Sequence, residues 1–173
     1  MTVTGDPARH VYGDSAAAVT IVEFGDLECP HCRAAAPVLR AVVDESGGRV
    51  RLVWRHFPLF EVHPHALTAA LAAEAFAVHG QFWALHDAVF ADQAHLTDPD
   101  LRRHARAAGI EPDEVVGELA QRHAAAVEAD YLAGLALDVR GTPTLFVDDV
   151  RYVGDVTLAG VRAAVAQAYA ARA

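Results

Sequence analysis

Two cysteines separated by two residues, in the run Cys29-Pro30-His31-Cys32, are the clearest candidates for chemistry in this chain. They are the only cysteines among its 173 residues, so a framework of structural disulfides has nothing else to build on. The spacing places both sulfurs in the first turn of a helix, where unpaired backbone N–H groups and the helix dipole favour an anion. The pattern therefore indicates reversible thiol–disulfide exchange, with Cys29 as the more exposed and more easily ionised thiol.

A zinc site is the alternative use of two such cysteines. Zinc needs two further ligands, and the ten histidines of the chain are numerous enough to supply them. Pro30 and the position of the run between a strand and a helix favour the redox interpretation. The run His63-Pro64-His65 also resembles a metal clip, but polar residues at the start of a helix explain it as well. We therefore predict no bound metal.

The flanking sequence predicts how the cysteines are positioned. Residues 19–25 are rich in β-branched and aromatic side chains, which is typical of a buried strand, and Pro30 suits the first turn of the following helix. That helix is expected to contain a kink at Pro37 and to end at 46–48. Residues 50–57 are a second predicted strand. The cysteines then lie at the carboxyl end of the first strand of a βαβ unit, where open α/β sheets place their chemistry.

The middle of the chain has a helical pattern, and its end returns to strands. Helices are predicted over 64–78, around 82–89, over 97–109 and over 112–137, the last with a break near Arg122. Residues 144–147 and 151–153 are predicted as a hairpin with Asp148-Asp149 at the turn, and Thr157 as the cap of a last helix. The sequence thus divides into a βαβ part (1–59), a helical block (60–138) and a ββα part (139–173).

Composition limits the partners and the compartment. The formal charge of −9, from 14 basic and 23 acidic side chains, argues against a nucleic-acid partner or an anionic membrane surface. Residues 1–10 lack the basic start and apolar run of a secretory signal, so we expect a cytoplasmic protein; a mature secreted form would look the same. The apolar stretch 66–78 contains Glu74 and is too short to span a bilayer, so membrane insertion is not expected.

Three features together resemble one known family. They are the segment from Phe24 to Cys32, Glu23 six residues ahead of Cys29, and the Gly141–Thr144 turn with the sequence Gly-Thr-Pro-Thr. Over nearly its whole length the chain is similar to DsbA-like thiol:disulfide oxidoreductases of the thioredoxin superfamily. The resemblance implies an α/β thioredoxin fold with an inserted helical subdomain.

The resemblance, with the helix geometry, suggests a role for each residue near the dithiol. We expect Cys29 to attack and the more buried Cys32 to resolve the mixed disulfide. His31 lies between the sulfurs and would tune the thiolate, whereas Glu28 adds like charge beside it. In the family, the position of Glu23 accepts the proton of the buried cysteine through water, and we adopt that role as a hypothesis.

The family likeness also implies a place where a peptide substrate docks. Pro143 is expected to be cis and to face the dithiol, which leaves the backbone of Thr142 free to pair with an extended peptide. Pro30 is assigned to the same substrate-binding surface. The partners implied are thiols or disulfides of proteins or peptides, together with an unidentified redox partner. No cofactor is expected beyond a Cys29–Cys32 disulfide.

Two other functions stay open on the same scaffold. A glutathione-linked transferase or isomerase of the kappa type shares the insertion pattern but uses a lone serine, so the presence of both cysteines argues against it. A non-catalytic, chaperone-like module that holds peptides in an apolar groove is the second alternative. Neither the direction of exchange nor the reduction potential follows from the residues.

Overall fold

The computed structural model describes residues 9–172. The prediction that residues 1–10 contain no secretory signal falls largely outside this range, because residues 1–8 are not described. The strands are β1 (Val11–Gly13), β2 (Val19–Gly25), β3 (Val50–His56), β4 (Thr144–Val147) and β5 (Val150–Arg151). The helices are α1 (Pro30–Asp44), α2 (Ala66–Val78), α3 (Phe82–Ala91), α4 (Asp98–Ala108), α5 (Gly117–Gln121), α6 (Ala124–Ala136) and α7 (Leu158–Ala170), with a 3₁₀ turn at Pro112–Val115.

A five-stranded mixed sheet in the order β1-β3-β2-β4-β5 forms the centre of the fold. Strands β2 and β3 are parallel, as a βαβ unit requires, and β4 pairs antiparallel with β2. The central strand β2 is buried along its whole length. Residues 21, 23 and 25 point to one face of β2 because side chains alternate along a strand. The carboxyl end of β2 leads directly into the cysteine loop. This topology confirms the predicted α/β thioredoxin fold.

Each face of the sheet is covered by helices. On one face, Ile21 of β2 and Leu145 of β4 pack with Leu39 of α1 and Val161 of α7. On the other, Phe24 and neighbouring strand residues pack against residues of the α6 region. Helices α2 to α6 lie between β3 and β4 in the chain, and α2, α3 and α4 contribute to an apolar cluster that also includes both cysteines. The dithiol therefore lies where the sheet meets the helical block.

Some boundaries differ from the sequence-based expectation. Strand β1 was not predicted, because three residues at a sheet edge are too short to show an alternating pattern. The helix expected over 112–137 is interrupted: Val116 is extended and Gly117 has a φ of +61°, a value that favours glycine. Helix α2 begins at Ala66 rather than Pro64, and β5 is Val150–Arg151 rather than 151–153.

Other local predictions agree with the structure. Asp148 and Asp149 have φ values of +46° and +64°, as the turn of a two-residue hairpin requires. Thr157 caps α7 by accepting a hydrogen bond from the backbone N–H of Gly160. Trp54 of β3 is fully buried, whereas Phe60, in the segment after β3, is 53% exposed.

Among the described residues, no helix is both long and apolar enough to cross a membrane.

Candidate active site

The two cysteines lie at the start of α1. Cys29 is the N-cap residue, Pro30 is the first helical residue and Cys32 follows within the first turn. Both are free thiols, and both are buried, with 2% of Cys29 and 0% of Cys32 exposed. Cys32 is the more deeply buried of the two, as predicted, although Cys29 is covered as well.

The two thiols ionise very differently. The hydrogen bond from the Cys32 thiol, together with the backbone N–H groups of Cys32 and His31, lowers the pKa of Cys29 to about 5, although burial opposes this. Burial, the bond to Cys29 and the charge of Glu23 raise the pKa of Cys32 well above its usual value. At neutral pH the site therefore holds one thiolate, at Cys29, beside a protonated thiol.

Glu23 lies below the dithiol on the central strand. It pairs in register with Trp54 of β3 and Leu145 of β4 and is 1% exposed. Neither carboxylate oxygen has a hydrogen-bond partner. Burial, and secondarily the charge of Cys29, raises the pKa of Glu23 to about 8, since a desolvated carboxylate without partners favours its neutral form.

The loop before β4 closes the site from the opposite side. The Thr142–Pro143 peptide bond is cis, as the sequence predicted, and the Cys29 Sγ lies 3.4 Å from the Thr142 carbonyl oxygen, to which the thiol donates only in its protonated form. The thiolate that Cys29 carries at neutral pH cannot make this bond, so pairing of the Thr142 backbone with a peptide stays a prediction. The Thr142 hydroxyl is buried without a partner. Pro30 and His31 are exposed at the rim of the site.

A close approach between β2 and β3 sets the position of the cysteine loop. Gly25 is the last residue of β2, and a Cβ built there would lie 2.3 Å from the Trp54 ring. A larger residue would therefore displace either the indole or the backbone that leads to Cys29. Trp54 and both cysteines belong to the same apolar cluster. The need for glycine at this position comes from the indole, and the sequence alone does not show it.

Gln93, in the loop between α3 and α4, is a residue that the sequence did not single out. Its side-chain amide donates to the carbonyl oxygens of Leu27 and Cys29, both at 2.9 Å. The helical block thereby holds the cap of α1 in place. A lone glutamine in a loop gives no signal in a single sequence, because its partners lie 64 and 66 residues away.

A possible metal-binding cluster lies elsewhere, at His10, His56 and Glu74. The Trp54 indole N–H donates to Nδ1 of His56 at 3.3 Å, which leaves the proton of a neutral imidazole on Nε2, the atom that an ion would need. The guanidinium of Arg9 lies 3.1 Å from the same Glu74 oxygen and would repel a cation. These contacts favour a buried network of charges and hydrogen bonds over a metal site.

Comparison with known proteins places the chain in a family. A thioredoxin family model matches residues 5–167. A thioredoxin-like oxidoreductase from Silicibacter pomeroyi is 30% identical, with a TM-score of 0.82 over 97% of this chain and 96% of that one. Oxidised BdbD from Bacillus subtilis, at 24% identity, has the same fold with a TM-score of 0.80 over 92% of both chains.

Curated relatives share this region within longer proteins. The Na(+)/H(+) antiporter NhaA 1 of Salinispora arenicola is 41% identical over 98% of this chain, and that of Mycolicibacterium gilvum is 39% identical over 86%. The chain spans only about a quarter of the length of these relatives, 26% and 25%. Of the solved structures, the 30% identical Silicibacter pomeroyi protein is named an oxidoreductase. The chain belongs to the thioredoxin family and has the DsbA-like form of its fold, with helices inserted between β3 and β4.

Proposed function

We propose that this protein exchanges disulfides with protein or peptide thiols through Cys29 and Cys32. The observation that carries the proposal is the opposite ionisation of two adjacent thiols, with a pKa of about 5 for Cys29 and a pKa of Cys32 well above its usual value. An attacking thiol must be ionised at working pH, whereas a resolving thiol must stay protonated until the mixed disulfide has formed.

The exchange follows from this difference. The Cys29 thiolate attacks one sulfur of a substrate disulfide and forms a mixed disulfide, and the other substrate sulfur leaves as a thiolate. Cys32 then loses its proton and attacks the Cys29 sulfur, which forms the Cys29–Cys32 disulfide and releases the second substrate thiolate. The substrate disulfide gains two electrons and the protein dithiol loses two. The same steps in reverse oxidise a substrate dithiol.

Glu23 is proposed to accept the proton of Cys32 in the second step, through water. Its carboxylate has no other partner, and its charge is among the causes that raise the pKa of Cys32. Once Cys29 is in the mixed disulfide, its negative charge is gone. The pKa of Glu23 then falls below its value of about 8 in the reduced protein, which makes the carboxylate available as a base nearer neutral pH.

The substrate peptide is proposed to dock beside the Thr142–Pro143 loop, with Pro30 and His31 at the opposite rim. A groove of about 360 Å³ next to this loop is lined by Phe57, Phe60, Tyr131, Leu135 and Arg140, among others. Phe60 and Leu135 are partly exposed there. An extended peptide with apolar side chains would fit this surface, and its backbone would pair with that of Thr142 after the Cys29 thiol has moved into the mixed disulfide.

Reduction of insulin by dithiothreitol tests the proposal directly. The wild-type protein should accelerate it, and Cys29→Ser should abolish the acceleration because no other thiolate is available. Cys32→Ser should instead accumulate a mixed disulfide that is detected by mass spectrometry. In a protein that keeps Cys32, Glu23→Gln should slow the release of the substrate from the mixed disulfide. Full activity of Cys29→Ser would reject the proposal and favour a chaperone-like module.

The direction of exchange is a separate measurement. Equilibration with glutathione buffers gives the reduction potential of the Cys29–Cys32 pair. A value near −120 mV would mark an oxidant and one near −270 mV a reductant. The low pKa of Cys29 stabilises the reduced form, so we propose a potential toward the oxidant end. The cytoplasmic location stays a prediction.

The antiporter relatives suggest a class of client. Because the same module forms about a quarter of proteins named as antiporters, we propose that its clients include thiols of membrane transport proteins. Cys32→Ser, which traps mixed disulfides, allows the captured peptides to be identified. Recovery of a transporter cysteine bonded to Cys29 supports this client class, and capture of unrelated proteins alone contradicts it.

A further inference from the structure

Asp26 connects both cysteines to the segment that follows β3. Its backbone N–H points to the Cys32 Sγ at 3.4 Å, and its carbonyl oxygen accepts from the backbone N–H of Cys29 at 3.1 Å. Its side chain is completely buried. A shift of Asp26 would therefore move the hydrogen-bonding environment of both sulfurs together.

The carboxylate of Asp26 is held by three donors. Its Oδ1 accepts from the backbone N–H of Glu28 at 2.8 Å. Its Oδ2 accepts from the backbone N–H of Leu59 at 2.9 Å and lies 2.7 Å from Nδ1 of His63. The His63 imidazole is 20% exposed, so it can exchange protons with solvent while it stays bonded to a buried carboxylate.

Glu28 makes a second link between the same two segments. Its Oε2 accepts from the backbone N–H of His65 at 2.6 Å. Asp26 and Glu28, which both precede Cys29, thus accept hydrogen bonds from the segment that leads into α2. The run His63-Pro64-His65, which from sequence suggested a helix start or a metal clip, serves in the structure as a partner of the cysteine loop.

We propose that His63 is a positioning residue for thiol exchange: through Asp26 it fixes the loop that holds both cysteines, and its protonated imidazole stabilises the reduced dithiol. This inference rests on the proposed function and adds a group outside the Cys-Pro-His-Cys run that sets the reduction potential.

The charges that face His63 support this assignment. Although burial lowers the pKa of His63, the hydrogen bond to Asp26 and the charges of Asp26, Cys29 and Glu28 raise it overall. Glu61 and His65 are the titratable neighbours along its own segment. Of all these groups, only Cys29 changes charge with redox state, because its thiolate becomes part of a neutral disulfide.

Reciprocity turns this arrangement into a measurable coupling. If the Cys29 thiolate favours protonation of His63, protonated His63 must favour the thiolate by the same factor. The pKa of His63 should therefore be higher in the reduced protein than in the oxidised one. The effect on the dithiol should be greatest near pH 6 and should disappear at alkaline pH, where His63 is neutral in both states.

His63→Asn separates charge from hydrogen bonding, because the asparagine amide can replace the Nδ1–H donor to Asp26 but is never charged. At pH 6 its equilibrium with glutathione should shift toward the disulfide by about threefold, the size of a partly exposed charge interaction, with no shift at pH 9. The matched control is His79→Asn. His79 is an exposed histidine 3.1 Å from Glu114 on the helical block, and its replacement should leave the equilibrium unchanged.

The wild-type protein gives an independent readout by NMR titration of the His63 imidazole in both redox states. A higher His63 pKa in the reduced state and a pH-dependent shift in His63→Asn support the inference. An equal pKa in both states, or a His63→Asn equilibrium that matches the wild type at pH 6, overturns it. If no Cys29–Cys32 disulfide forms in any glutathione buffer, the proposed function itself fails, and that result is distinct from the first two.

Discussion

Two buried glutamates, Glu23 and Glu74, differ mainly in their partners. Both carboxylate oxygen atoms of Glu23 lack any hydrogen-bond partner, and burial raises the pKa of this residue to about 8. Glu74 is buried too, but its Oε1 lies 2.7 Å from His10 Nε2, 3.2 Å from His56 Nε2 and 3.1 Å from Arg9. Although burial would raise the pKa of Glu74, its contacts with both histidines lower it well below the usual range.

The network around Glu74 ties three parts of the fold together. Arg9 precedes β1, and its guanidinium contacts both Glu74 on α2 and Asp130 on α6. Asp130 in turn accepts from the backbone N–H of His56, at the end of β3, at 3.1 Å. Each buried acid has a cation and a hydrogen-bond donor beside it, so the charges are compensated and the contacts hold the helical block against the sheet.

Glu23 has no comparable compensation. A carboxylate that is buried without partners destabilises the fold whenever it ionises. Its position beside two thiols that differ in ionisation gives such a residue a chemical use, because a group with a pKa near neutral can take and return a proton. The comparison separates a buried acid that stabilises the structure from one that is suited to catalysis.

The largest effect should come from Glu74→Gln. Removal of this charge leaves Arg9 without one of its acids and places a neutral amide beside two histidines, so we expect the free energy of unfolding to fall by about 3 kcal/mol at pH 7. Urea denaturation checks this, with Glu114→Gln on the exposed His79–Glu114 pair as the control. An exposed pair of that kind should change stability by less than about 1 kcal/mol.

The pH dependence of this effect has a definite sign. Because the folded-state pKa of Glu74 is depressed, its stabilising contribution is complete above its unfolded pKa and is lost as the pH falls toward the folded value. The difference between wild type and Glu74→Gln should therefore be constant from pH 7 to about pH 5 and shrink below about pH 4.5. A difference that grows on acidification would contradict the role given to Glu74.

The change in the free energy of unfolding caused by Glu23→Gln should be smaller than that of Glu74→Gln and opposite in sign. The folded-state pKa of Glu23 is raised from 4.5 to about 8, so ionisation destabilises the reduced protein increasingly as the pH rises between these values. The neutral amide avoids this cost, and we expect a gain of about 1–3 kcal/mol at pH 7 that vanishes near pH 4. Urea denaturation of the reduced protein at both pH values tests it, and destabilisation at pH 7 would show that Glu23 has a partner.

The sequence was sufficient to predict the burial and position of Glu23, but not the network of contacts around Glu74. Glu23 interrupts an apolar, β-branched strand six residues ahead of Cys29, so both its burial and its place below the dithiol could be predicted. The same local patterns identified Cys29, Cys32 and the cis bond before Pro143. These features depend on spacing within short segments or on a motif that the family shares, and a single sequence contains both.

The network of Glu74 depends on contacts between distant segments. Arg9 meets Asp130 across 121 residues, and His10 meets Glu74 across 64. From sequence, Glu74 appeared only as a charge within an Ala-rich helix. The cover over Cys29 could not be predicted for a related reason, because the loop at Thr142 that contacts its sulfur lies 113 residues away. Long-range pairing of this kind leaves no periodic pattern to interpret.

The order in which the groups at the dithiol lose their protons gives the most sensitive test of the comparison. The pKa of Cys29 is about 5 and that of Glu23 about 8, so Glu23 still holds its proton when Cys29 ionises. Ultraviolet titration of the thiolate should therefore give Glu23→Gln the same Cys29 midpoint as the wild type, to within about 0.3 pH units. Cys29→Ser, in contrast, should lower the pKa of Glu23 in a carboxyl NMR titration, because the thiolate charge that raises it is gone. A fall of a full unit or more in the Cys29 midpoint of Glu23→Gln would mean that Glu23 is already ionised at pH 5 and is compensated as Glu74 is.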